Sequence, residues 1–211
     1  MNHPLLLLAL CQGFFLTNNV VFIAINGLVG LQLAPLGWMA TLPVTGYVVG
    51  SALSAGLVAK TQSHFGRKRS FQFGLVIAAL SAALCAYAAV TKNFWLLVAA
   101  TVVAGYYNAN AALYRFAGPE LVAPEHKERA ISLVLAGGIL GAFAGPNLAS
   151  ATRSMLDVPF AAAYLSLVVV ALLSLGVLSL IRFPEHHAPL PGASSGRPLS
   201  EIMRQPVFIV A

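Results

Sequence analysis

Six apolar stretches, each long enough to cross a bilayer as a helix, follow one another with only short turns between them. They lie at about 5–31, 38–59, 70–90, 94–115, 130–150 and 158–181. Crossing about 30 Å of hydrocarbon takes about 20 mostly apolar residues. None of the stretches alternates apolar and polar side chains as a barrel strand does, so helices must satisfy their backbone groups in lipid. Composition agrees, with 59% hydrophobic and 9% charged residues, where soluble domains carry roughly 25% charged. The net charge of +6 reflects few acids, 6 against 12 bases, and not a nucleic-acid-binding surface. The predicted fold is all-α and integral to a membrane, with six transmembrane helices in residues 1–183. A cytoplasmic linker rich in Pro, Gly and Ser is expected at 184–199. Residues 200–211 read as a polar helix start and the opening of a seventh span.

Lys and Arg fix the expected orientation, because cytoplasmic loops carry the excess of bases. With the N-terminus inside, ten bases, among them Lys60, Arg67, Lys68, Arg69, Arg115 and Arg182, fall on the cytoplasmic side, and only Lys92 and Arg153 outside. Both termini are therefore placed in the cytoplasm, in a plasma membrane of the bacterial inner-membrane type. Cys11 and Cys85 sit inside spans and read as small buried apolar residues.

Corresponding spans of the two halves start 89, 92 and 88 residues apart, a repeat of three helices. An odd number of helices inverts the second copy, the arrangement of two inverted triplets found in secondary transporters. The character of the spans repeats as well. Spans one and four carry the polar side chains, and spans two and five carry small residues at every fourth position: Gly46, Gly50 and Ser54, then Gly137, Gly141, Gly145 and Ala149. Spans three and six are mainly Ala, Leu and Val, as lipid-facing helices should be.

Gln12, Asn19 and Asn26 stack on one helix face at spacings of seven, and Tyr107, Asn110 and Tyr114 do so at spacings of three and four. Polar side chains at membrane depth must point into the bundle or a wet cavity. Interhelical hydrogen bonding is the plain alternative for any one of them. Asn19, Asn26, Tyr107, Asn110 and Tyr114 are the candidate solute contacts. Gly66, Arg67 and Lys68, in a turn too short to wander, are the candidate gating loop. The small-residue ladders let backbones approach closely, which is chiefly a packing device. No span holds Asp, Glu, Lys, Arg or His in its middle, so this stretch shows no proton site of its own. Neither a nucleophile–base pair nor a metal-ligand cluster occurs at membrane depth, so no enzyme, metal or cofactor is expected.

These features resemble the N-terminal half of the major facilitator superfamily. The loop after the second span is similar to that family's signature Gly-x-Leu-Ala-Asp-Arg-x-Gly-Arg-Lys: Phe65, Gly66, Arg67 and Lys68 match its end, while Ser63 stands at the Asp and Ala59 at the first Gly. Glu120 or Glu125 is the candidate replacement for the missing acid. Gly141-x-x-x-Gly145-Pro146 is similar to a motif of the family's drug and proton antiporters. The resemblance implies that helices one and four line the cavity and that Gly141, Gly145 and Pro146 lie at the interface between halves. It also implies a second set of six helices, in a C-terminal half or another chain. The expected function is secondary transport of a small neutral or amphipathic solute by alternating access, leaning to proton-coupled efflux. The alternatives are an uptake carrier or uniporter of a neutral metabolite, and a non-transporting membrane scaffold or partner subunit.

Overall fold

The computed structural model describes residues 3–184. The longer helices among them are α1 (His3–Leu33), α2 (Leu42–Val90), α3 (Phe94–Ala111), α5 (Lys127–Thr152) and α6 (Ala161–Leu180). A single turn, α4 (Tyr114–Ala117), extends α3, and no strand occurs among the described residues. Large apolar side chains point outward all round, Leu53, Leu140 and Phe143 each more than 70% exposed. Such a surface suits lipid and would aggregate in water. The linker expected at 184–199 and the segment 200–211 lie outside the described residues, Pro184 excepted.

The expected count of six separate spans is corrected in one respect. Among the described residues five helices are long and apolar enough to cross a membrane, because the second and third spans share the 49-residue α2. No proline interrupts residues 59–70, so helical hydrogen bonding runs up to a single non-helical residue and resumes directly after it. That residue is Gly66, at φ 75° and ψ 168°, a conformation essentially reserved to glycine. The chain folds back there. Thr61 Oγ1 lies 3.1 Å from Ser70 Oγ, whereas nine residues of straight helix would separate them by about 13 Å.

The repeat seen in the chain recurs as duplicated contacts. Gly50 lies on the carbonyl of Val102, and Gly141 lies on the carbonyl of Gly13. Gly46 faces the carbonyl of Val98, and Gly137 that of Ala9. In both cases the first helix shifts by 89 residues and the small-residue helix by 91, so one packing arrangement is made twice: α1 on α5, and the front of α2 on α3. Lipid gives helices no hydrophobic reason to associate, so backbone approach of this kind is the main cohesive term. A methyl at Gly50 or Gly141 would collide with backbone, which cannot swing aside. Gly141→Ala is expected to lower stability by about 1–3 kcal/mol. Gly27→Ala, where a Cβ meets nothing within 4 Å, should leave it unchanged or raise it slightly. Thermal unfolding in detergent separates the two.

Buried apolar residues form two clusters. One holds Phe15, Phe71, Tyr107 and Tyr114. The other holds Phe22, Tyr47, Leu97 and Tyr164. Along α1 the first cluster ends at Phe15 and the second begins at Val21, and Thr17, Asn18 and Asn19 fall between them, at the middle of the helix.

Candidate functional site

At this mid-depth level four polar side chains meet. Asn19 Nδ2 donates to Asn108 Oδ1 at 2.8 Å and to the Tyr47 hydroxyl at 3.2 Å. Asn108 Nδ2 in turn donates to Ser51 Oγ at 3.2 Å. Asn19, Ser51 and Asn108 are half-buried while Tyr47 is buried. Asn19 and Asn108 are 89 residues apart, the same shift that superimposes the duplicated glycine contacts. A residue bonded to its own repeat mate lies on the pseudo-two-fold axis relating the copies. The group carries no formal charge, and both amides offer a donor and an acceptor. It can therefore read the hydrogen-bonding edge of a neutral solute.

The other expected solute contacts are placed differently. Asn26 is fully buried, with Nδ2 donating to Phe22 O at 2.8 Å and Oδ1 accepting from the Tyr164 hydroxyl at 2.8 Å, which ties α1 to α6. Tyr107 and Tyr114 are buried and meet Phe15 edge-on, with ring centroids 5.8 and 6.3 Å away, and Tyr114 also packs on Phe71 at 4.8 Å. Asn110 is buried between the helices, donating to the Ser70 carbonyl at 2.7 Å and accepting from Gln62 Nε2 at 3.2 Å. Of the five, Asn19 alone is half-open. The sequence reading does not single out Asn108, Tyr47 or Ser51 as solute contacts, although adding the repeat period to Asn19 points directly at Asn108.

At one end of the bundle the Gly66 turn brings its bases to fixed partners. Arg67 Nη2 lies 2.7 Å from Glu120 Oε1, and its Nε donates to the same oxygen at 2.7 Å. Its Nη1 donates to Gln62 Oε1 at 3.4 Å. Lys68 Nζ donates to the Ser179 carbonyl at 2.7 Å, where a cation complements the C-terminal end of α6. A recess of about 720 Å³, bordered by Gln62, Arg67, Arg69, Glu120 and Phe183, opens beside this pair. The acid absent at Ser63 is thus matched by Glu120, from the short helical turn after α4.

Gly141 and Gly145, expected at the interface between halves, pack within this bundle. Gly141 sits on Gly13 and Thr17, and Gly145 on Val20, so both glycines face α1 inside this bundle. Only the smallest residues allow that approach, and this is why the ladder cannot also face outward. Pro146 is exposed, on the outer side of α5 with Leu140 and Phe143.

Apolar helices in two half-copies, packed backbone to backbone around uncharged polar groups at mid-depth, define a polytopic membrane protein. Residues 5–211 match the sequence model of the Major Facilitator Superfamily, and the chain belongs to that family. It is 33% identical over 209 residues to the riboflavin transporter RfnT of Brucella anthropi, an alignment covering 98% of this chain and 52% of that protein. It is also similar to two uncharacterized MFS-type transporters of Bacillus subtilis. YdeG is 26% identical over 69% of this chain and 34% of its own length, and YddS 29% identical over 56% and 27%. The chain spans about half the length of the first of these relatives and about a third or less of the other two.

Proposed function

We propose that the intact protein is a secondary transporter that carries a small neutral solute across the membrane by alternating access. The duplicated α1–α5 and α2–α3 contacts carry this reading, because inverted triplets meeting at mid-depth are how such carriers build a site that can face either side. On this reading α2 supplies two spans, giving six, and a further set of helices completes the cavity. The bases around Gly66 support a cytoplasmic position for that turn and for both termini, in a plasma membrane. Gly66, Arg67 and Lys68 then form a cytoplasmic gate, with Arg67–Glu120 as its latch. Pro146 and the outer side of α5 are left to meet the other half.

For the solute, the kinship to a riboflavin transporter and the uncharged Asn19–Asn108–Tyr47–Ser51 group support a flat aromatic molecule with an amide-rich edge, such as riboflavin. Among the described helices no acid lies at mid-depth, which favours a neutral solute moving without a proton through this half. The Gly145–Pro146 motif supports the second reading, proton-coupled efflux. Reconstituted vesicles followed by flavin fluorescence test both. Saturable riboflavin movement indifferent to an imposed pH gradient is the expected result. Acceleration when the gradient drives protons opposite to the flavin would establish antiport instead, and no carrier-dependent movement would remove riboflavin as the solute.

A further inference from the structure

A chain of hydrogen bonds with a fixed direction leads from a backbone carbonyl to Arg67. The Ser70 carbonyl can only accept, so it fixes Asn110 with its amino group toward it, at 2.7 Å. Asn110 Oδ1 must then face Gln62, which donates from Nε2 at 3.2 Å. That leaves Gln62 Oε1 turned toward Arg67, whose Nη1 donates to it at 3.4 Å. Gly74 makes the first step possible, since a Cβ there would stand 2.7 Å from Asn110 Nδ2. Every link crosses either the Gly66 fold-back or the gap between α2 and α3. We infer that Gln62 and Asn110 are positioning residues for Arg67, presenting it with a neutral acceptor on the side opposite Glu120. The latch is thereby aimed by the same buried amide that ties α3 to the second half of α2, so movement of α3 at mid-depth is felt at the gate. This inference rests on the gating role proposed for Arg67 and Glu120.

The test uses the intact protein with riboflavin as the transported probe and hydrogen–deuterium exchange of the segment around Gly66 as a readout independent of any solute. Gln62→Met keeps the length of the side chain and removes its amide. Glu120→Gln removes the charge of the latch. Each is expected to lower the maximal transport rate about two- to tenfold with KM unchanged, and to speed exchange around Gly66. Because both act through Arg67, the double variant should be no worse than Glu120→Gln alone. If Glu120→Gln changes neither rate nor exchange, the gating role fails and this inference falls with it. If Glu120→Gln slows transport but Gln62→Met leaves exchange unaltered, or its effect simply multiplies, the gate stands and the positioning role is overturned. If riboflavin is not carried, the exchange rates of the same three variants decide. Gln62→Ala serves the same comparison should the methionine variant fail to fold.

Discussion

Asn19→Leu is expected to reduce solute transport about ten- to a hundredfold while the protein stays folded in the membrane. The leucine removes the donor that satisfies both Asn108 Oδ1 and the Tyr47 hydroxyl. A polar group left unpaired in a desolvated site costs about 1–3 kcal/mol, and each 1.4 kcal/mol is tenfold in an equilibrium constant. Asn108→Leu should behave alike, since it is the other half of the same bond. Asn26→Leu supplies the contrast. It breaks the α1–α6 tie to Tyr164 and should lower the melting temperature with little change in KM for the protein that remains folded. The measurement is KM and rate for riboflavin in vesicles beside thermal unfolding in detergent. Parental transport by a folded Asn19→Leu variant would take the axis pair out of the solute's path.

That Asn19 and not Asn110 stands on the axis shows where a sequence can and cannot be read. Periodicity identified the polar faces of spans one and four, because an amide in lipid must turn inward whatever its neighbour. It could not say which neighbour it meets. Asn110 and Tyr114 share a helix face in the sequence, yet the fold-back at Gly66 lays Ser70 and Gln62 over Asn110 and seals it. Asn108, two residues earlier and on nearly the opposite side of the helix, stays half-open beside Asn19. The missing information is the relative rotation of the helices, which is set by backbone contacts such as Gly50 on Val102 and Gly13 under Gly141. The repeat length held part of it: the 89-residue shift between spans one and four is the separation of Asn19 and Asn108. The small-residue ladders were legible as packing surfaces, but which helix they grip was not. Glu120 could be named beforehand as a candidate partner for Arg67 because acids are so scarce, with none before it in the chain.

Gly66→Ala should lower stability, and the sign of its effect tests the architecture of α2. If residues 42–90 formed one straight helix, alanine in its middle would be better than glycine by about 1 kcal/mol, through lower backbone entropy loss. In the fold-back, Gly66 is buried at φ 75° and ψ 168°, where an L side chain costs about 1–3 kcal/mol. The strain cannot be shed locally. Thr61 Oγ1 is held to Ser70 Oγ at 3.1 Å and to the Tyr106 hydroxyl at 2.8 Å, and Gln62 and Arg67 close across the turn as well. Relaxing the turn toward a helix would therefore pull apart contacts on both sides of it and separate Arg67 from Glu120. The expected outcome is a melting temperature several degrees lower, at about 2–4 °C per kcal/mol for a chain of this size, with loss of transport in what remains. Phe65→Ala, exposed beside it, should change neither. A Gly66→Ala protein more stable than the parent would mean that α2 runs straight, and the six-span reading, the latch and the Gln62 relay would fall together.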